Sequence, residues 1–152
     1  MNLPVWLTGL GASLAIDSYQ TLRFLHVTIM VDEKENGCDP LCGLSCELRF
    51  ITGNNILEEL ELFVVIDDDV SFKSESEDWS DFDSVLTESG AFPMLHRVSV
   101  QIAWCSDLID VMNLLMESFK VDLMNFLNES LKKDKFPRLV ERKAVEFNFR
   151  TK

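Results

Sequence analysis

The residues best suited to chemistry in this chain are three cysteines spaced four positions apart, Cys38, Cys42 and Cys46. Their thiols could bind zinc or an iron–sulfur cluster, and the spacing puts at least the last two on one face of a helix. The run Cys-x3-Cys-x3-Cys matches no common iron–sulfur signature, however, and His26 and His96 lie at no zinc-like spacing from it. We therefore expect structural thiols and no bound metal.

Other chemical motifs are incomplete. No Gly-x-Ser-x-Gly elbow or paired cysteine accompanies His26 or His96, as a nucleophilic site would require. The Gly9-Leu10-Gly11 run is too short for a dinucleotide fingerprint, and the run from Asp67 to Asp69 lacks the pattern of a calcium loop. The sequence therefore predicts no catalytic residue and no cofactor. An α/β enzyme stays a remote alternative, with a pocket at the carboxyl ends of the strands containing His26 or the acidic run.

Length, composition and charge favour one folded domain with a protein partner. The chain has 152 residues, 47% of them hydrophobic, and a formal net charge of −12. This charge disfavours nucleic acid and anionic membranes and favours a partner with a basic surface. The apolar run at residues 1–16 is shorter than the ~20 residues that span a bilayer. Four cysteines in a chain of this size indicate reduced thiols and a cytoplasmic or nuclear location.

A strand signature recurs along the chain. Within residues 57–66 (LEELELFVVI), one face of the predicted strand has Leu60, Leu62, Val64 and Ile66, and the other has Glu61, Phe63 and Val65. This alternation is typical of a strand buried on one side. Residues 22–29 (LRFLHVTI) and 95–102 (LHRVSVQI) repeat the apolar positions, and a looser copy starts at Leu139 and alternates from Val145. We interpret Pro93 and Pro137 as leading directly into strands, since proline ends a helix. Such repetition indicates an array of similar units.

Each interval between these strands carries helix signals. We predict helices around Leu10 to Ala15, from Pro40 to a Gly53 cap, over Trp79 to Leu86, and over residues 107–133. The last is either one helix or two with a break near Lys120. Strands separated by helices should be parallel.

The outward strand positions are often polar, which favours helices on one face of the sheet only. The predicted fold is therefore α/β, a leucine-rich-repeat-like arc of about four parallel strands with helices on one face. Residues 1–152 form a single domain in this interpretation, with an N-terminal capping segment at 1–21 and irregular repeats over 22–152. The open strand face is the natural surface for a protein partner, and its predicted binding residues are His26, Thr28, Glu61, Phe63, Ser99, Gln101, Glu146 and Asn148.

Several longer stretches resemble fungal F-box-like proteins with irregular leucine-rich repeats. They read LRFLHVTI, SCELRFITGNNILEELELFVVI, SEDWSDFDSVLTESGAFPMLHRVSV and DKFPRLVERKAVEFNF, and together span most of the chain from about Leu22. The resemblance implies that the repeats select a target, while an F-box would dock a ubiquitin-ligase adaptor. No F-box segment is recognisable here. The regular repeat has Asn or Cys after each strand, where this chain has Met30, Val65 and Ala103.

We therefore expect a non-enzymatic protein–protein interaction module, with the target-recognition part of an F-box-type ubiquitin ligase receptor as its specific form. A ubiquitin-ligase adaptor is then a possible partner. The alternative is a truncated or degenerate repeat fragment that functions only as an oligomer or within a longer protein. Phosphorylation of Ser74 or Ser80, each three residues before an acid, is a further option.

Overall fold

A computed structural model describes residues 9–17, 20–31, 41, 43–53, 55–67, 77–105 and 117–151. Helices and strands alternate along most of this part of the chain. The elements are α1 (Leu10–Asp17), β1 (Phe24–Val31), α2 (Leu44–Arg49), β2 (Glu59–Asp67), α3 (Glu77–Thr87), β3 (Arg97–Cys105), α4 (Glu117–Lys135), α5 (Pro137–Glu141) and β4 (Glu146–Thr151).

The strands form one parallel sheet in chain order. β1 pairs with β2, β2 with β3 and β3 with β4, so neighbouring strands in the sheet are also consecutive strands along the chain. One face of this four-stranded sheet packs against the helices, because alternate strand residues join a single core with residues of α2 and α3. The predicted α/β class, with parallel strands and helices on one face, is confirmed.

Aromatic rings fill the core beneath the last two strands. Phe136, between α4 and α5, has no exposed surface. Its ring meets those of Trp79 and Phe82 of α3 edge to face, at centroid distances of 5.5 and 6.3 Å. Phe147 and Phe149 of β4 approach the same ring at 5.1 and 5.6 Å. Phe136 thus joins α3 to the edge of the sheet.

The first three strands begin later than the signature predicts. Leu57 and Leu95 are buried, but β2 and β3 start two residues after them. A buried leucine marks a contact with the core, whereas strand pairing depends on backbone hydrogen bonds, which here begin later. The strands also end later, so Met30, Val65 and Ala103 lie within β1, β2 and β3 and not after them. The predicted position of these three residues is wrong.

The second helix is shorter than predicted. It begins at Leu44 and not at Pro40, because Gly43 before it has a left-handed backbone with φ of 75° and Leu41 lies in a turn. Pro40 itself lies outside the described residues. Of the long helical pattern over 107–133, the described part is one helix that is continuous from Glu117. Residues 106–116 lie outside the described residues, so the choice between one helix and two with a break near Lys120 stays open.

Pro137 opens a helix, contrary to the prediction that it leads into a strand. It is the first residue of α5. The carboxylate of Asp83 on α3 accepts hydrogen bonds from the backbone N–H groups of Arg138 and Leu139, at 2.9 and 2.8 Å. These are donors that a helix N-terminus leaves unpaired, so a remote acid caps α5.

Candidate functional site: the open face of the sheet

Among the strand residues whose side chains the structure describes, register arranges the open face in four rows that run across the sheet. We name them the charged row (Phe24, Glu59, Arg97, Glu146), the histidine row (His26, Glu61, Ser99, Asn148), the glutamine row (Thr28, Phe63, Gln101, Arg150) and the apolar row (Met30, Val65, Ala103). All eight predicted binding residues lie in these rows, and each is exposed or partly exposed. Their common surface is therefore an observation, while their role in binding stays a prediction.

The charged row compensates part of its own charge. Arg97 lies between two acids, with its guanidinium 3.1 Å from Glu59 Oε2 and 3.6 Å from Glu146 Oε2. Asn148 of the neighbouring row donates a hydrogen bond to Glu146 Oε1 at 3.0 Å. That hydrogen bond, with the charge of Arg97, lowers the pKa of Glu146 below its ordinary value of 4.5. His96, just before β3, places Nε2 3.8 Å from Glu59 Oε1.

The acid and the imidazole of the histidine row are in contact with a hydroxyl of the glutamine row. Nδ1 of His26 lies 3.2 Å from Glu61 Oε2, and Nε2 lies 3.1 Å from Thr28 Oγ1. This order is that of a nucleophilic triad, which also needs donors for a developing oxyanion. The amide of Gln101 stands two strand spacings from Thr28, roughly 10 Å, with Phe63 between them. We interpret these contacts as surface hydrogen bonds that orient the His26 ring.

The carboxyl-terminal half of the face is apolar. Met30 exposes 71% of its surface, the largest fraction among the described large hydrophobic residues. Val65 and Ala103 of the same row, and Phe63 of the glutamine row, are partly exposed. Arg150, at the β4 edge, is the one formal charge in these two rows. The face therefore has a polar half and an apolar half, and β2 runs through both.

Seven residues of this face were missing from the predicted binding set. They are Phe24, Met30, Glu59, Val65, Arg97, Ala103 and Arg150. Each stands two residues from a predicted member on the same strand. Alternation extended to the full length of each strand would have found them, since side chains two apart share a face.

The remaining chemical candidates do not assemble into a second site in the described residues. In that part of the chain, no group of three or more His, Cys, Asp or Glu side chains is placed to hold a metal ion. Cys46 is exposed on α2 and makes no disulfide, while Cys38, Cys42 and Ser74 lie outside the described residues. Ser80 is exposed on α3. No helix among the described residues is both long and apolar enough to cross a bilayer.

Comparisons of this chain with protein-family models, curated proteins and solved structures found no significant match.

Proposed function

We propose that this chain is a non-enzymatic protein–protein interaction module that binds its partner through the open face of the sheet. The observation that carries the proposal is the exposed carboxyl-terminal half of that face, where Met30, Phe63 and Val65 lie together on neighbouring strands. Apolar side chains grouped on a surface and bordered by polar ones are typical of interaction sites. Parallel strands in chain order with helices behind them present such a face in repeat proteins.

The specific form of the proposal is the target-recognition part of an F-box-type ubiquitin ligase receptor. Its support is the resemblance of the strand and helix segments to fungal F-box-like repeat proteins. A ubiquitin-ligase adaptor would then be a second partner. A cytoplasmic or nuclear location belongs to the same proposal, supported by the free thiol of Cys46.

Site-specific photo-crosslinking in the native cells tests the binding face. A photoreactive amino acid replaces Ser99 or Gln101 on the face, or the exposed Ser80 or Glu88 on the α3 side as matched controls. We expect one protein to be crosslinked from both face positions and from neither control. That protein, purified, should also bind the unmodified chain directly.

A combined variant provides the second arm of this test. Glu61, Phe63, Ser99 and Gln101 are all replaced by threonine, which keeps the β-propensity of the strands. The proposal requires loss of binding to the crosslinked protein while the circular dichroism spectrum is retained. Unchanged binding, or crosslinks from Ser80 and Glu88 alone, would refute it. Crosslinks only between copies of the chain would favour the oligomeric alternative, and recovery of a cullin-type ligase adaptor would favour the receptor.

A further inference from the structure

We propose that the open face recognises a partner segment in which a Lys or Arg side chain lies next to a large apolar one. The inference rests on the proposed function and adds the chemistry of the partner. The binding residues are Glu61, which faces the cation, and Met30, Phe63 and Val65, which cover the apolar side chain.

Acids outnumber cations on the open face, and the ion pairs show which acid has no Lys or Arg partner among the described residues. The rows contain three acids, Glu59, Glu61 and Glu146, and two cations, Arg97 and Arg150. Arg97 is shared by Glu59 and Glu146, as described above. Among the described residues, the ion-pair contact of Glu61 is with His26, and no Lys or Arg pairs with it. In the described part of the chain Glu61 is therefore an acid of the open face without a Lys or Arg partner, at 43% side-chain exposure.

Apolar side chains follow Glu61 on the same face of β2, because strand residues two apart share a face. Phe63 and Val65 come two and four residues after Glu61 and point to the same face, so the first of them lies roughly 7 Å away along the strand. Met30 pairs with Val65 across β1 and β2, which widens the apolar area beside β2. An exposed carboxylate thus borders an exposed apolar cluster.

These positions define the spacing that a partner must have. Its cation and its large apolar side chain must be separated by roughly 6–7 Å, as side chains two apart in an extended segment or four apart in a helix are. The formal net charge of −12 attracts basic segments over longer distances. Arg150 lies two strands from Phe63, roughly 10 Å away at the β4 edge, which is farther than the roughly 7 Å between Glu61 and Phe63, so it borders the apolar area less closely than Glu61 does.

A peptide selection tests this chemistry and does not require that the partner be identified first. Random dodecapeptides displayed on phage are selected on the immobilised full chain, and enriched peptides are synthesised and measured by fluorescence anisotropy. We expect Lys or Arg to be enriched two or four positions from Phe, Leu, Met or Trp. Glu61→Lys should weaken these peptides about fivefold or more, and Phe63→Ala about tenfold.

Glu88→Lys is the matched control, because Glu88 is an exposed acid that follows α3 and lies off the face. It should leave affinity within about twofold, since a distant surface charge is screened. Enriched peptides that bind the face without a basic residue, or that depend on Arg150, would overturn the inference and leave the proposed function standing. Peptides insensitive to every face substitution would count against both, and a selection without any enrichment would overturn the inference alone.

Discussion

The two faces of β2 differ in what their side chains touch. On the covered face Leu60, Leu62 and Val64 are at most 2% exposed, whereas Glu61 and Phe63 between them on the open face remain partly exposed. One strand therefore supplies both the core and the candidate binding surface. Side chains one position apart on β2 should therefore differ in role. Stability should depend on the residues of the covered face, and recognition on those of the open face.

Polar contacts differ in the same way. On the helix side, Glu47 accepts hydrogen bonds from the N–H groups of Gly9 and Gly11 at the start of α1, at 3.2 and 2.7 Å. Asn55, also buried, donates to the backbone oxygens of Ile51 and Ala91 at 2.6 and 2.7 Å. These contacts connect separate segments away from water, whereas those of the open face join neighbouring strands in solvent. Removing a hydrogen bond on the helix side should therefore lower the free energy of unfolding more than removing one on the open face.

The largest expected effect is that of Phe136→Ala on the covered side. Removing this ring leaves a cavity among Trp79, Phe147 and their neighbours, so the free energy of unfolding should fall by about 3–5 kcal/mol. Urea denaturation followed by circular dichroism measures it. Phe126→Ala is the control, because Phe126 is 69% exposed and its loss should cost under about 0.5 kcal/mol. Equal losses would contradict the assignment of Phe136 to the core.

Gly11→Ala tests the close contact between α1 and α2. A Cβ atom at this position would overlap the backbone oxygen of Glu47. The helices would have to separate, and we expect a loss of about 1–3 kcal/mol in thermal or urea unfolding. Alanine otherwise favours a helix over glycine by about 1 kcal/mol, so a loss identifies the clash. Ser13→Ala, at an exposed position of α1, is the control; a stabilised Gly11→Ala protein would contradict the contact.

Asp83→Ala removes the remote cap of α5 and should lower the free energy of unfolding by about 1–3 kcal/mol, because two N–H groups of Arg138 and Leu139 lose their acceptor. Urea denaturation of the variant beside Asp81→Ala, an exposed acid of the same helix, measures the difference. If the two variants are equally stable, the cap contributes nothing.

The burial of Asp83 predicts a pH dependence. Burial raises the pKa of Asp83 above its ordinary value of 3.8, against the opposing effect of the two N–H groups. Folding then favours the protonated form, so the contribution of Asp83 is fully present below pH 3.8 and declines as pH rises through the raised pKa. Asp83→Asn cannot ionise and should lack this decline. If the free energy of unfolding depended on pH in the same way for the original chain and for Asp83→Asn, the raised pKa of Asp83 would be contradicted.

On the open face, the fourfold threonine variant of Glu61, Phe63, Ser99 and Gln101 should lower the free energy of unfolding by less than Phe136→Ala does, since each cross-strand contact is worth roughly 0.2–1 kcal/mol and threonine keeps part of it. Urea denaturation under the conditions used for Phe136→Ala gives the comparison. A loss larger than that of Phe136→Ala alone would remove the distinction between the two faces.

Asn148→Ala should have the smallest effect. Without the hydrogen bond from Asn148, the pKa of Glu146 should rise toward 4.5, while Arg97 and His96 would still hold it below that value. Any stability that Glu146 supplies is present above pH 4.5 and is lost as pH falls through the lowered pKa. An NMR titration of the Glu146 carboxyl carbon measures the shift, with Asn125→Ala on α4 as control. An unchanged pKa would show that the hydrogen bond is absent in solution.

Alternation in the sequence was enough to predict the single covered face and the placement of residues such as Glu61 and Gln101, and the helix signals between the strands were enough to predict the parallel sheet. Alternation failed at element boundaries. Leu95 was predicted within β3 because it is apolar, yet it is buried before the strand starts. Hydrophobic pattern reports burial, which a leucine achieves equally from a strand or from the segment before it.

The sequence by itself determined which side chains share a face, because the two-residue period of a strand is a local property of the backbone. Only the tertiary structure decided that Pro137 begins a helix and that Glu47 holds the start of α1. The N–H groups at those helix starts find their acceptors 55 and 38 residues away, for Arg138 with Asp83 and Gly9 with Glu47. Contacts between such distant residues form only when the sheet brings their helices together, and no local pattern contains them.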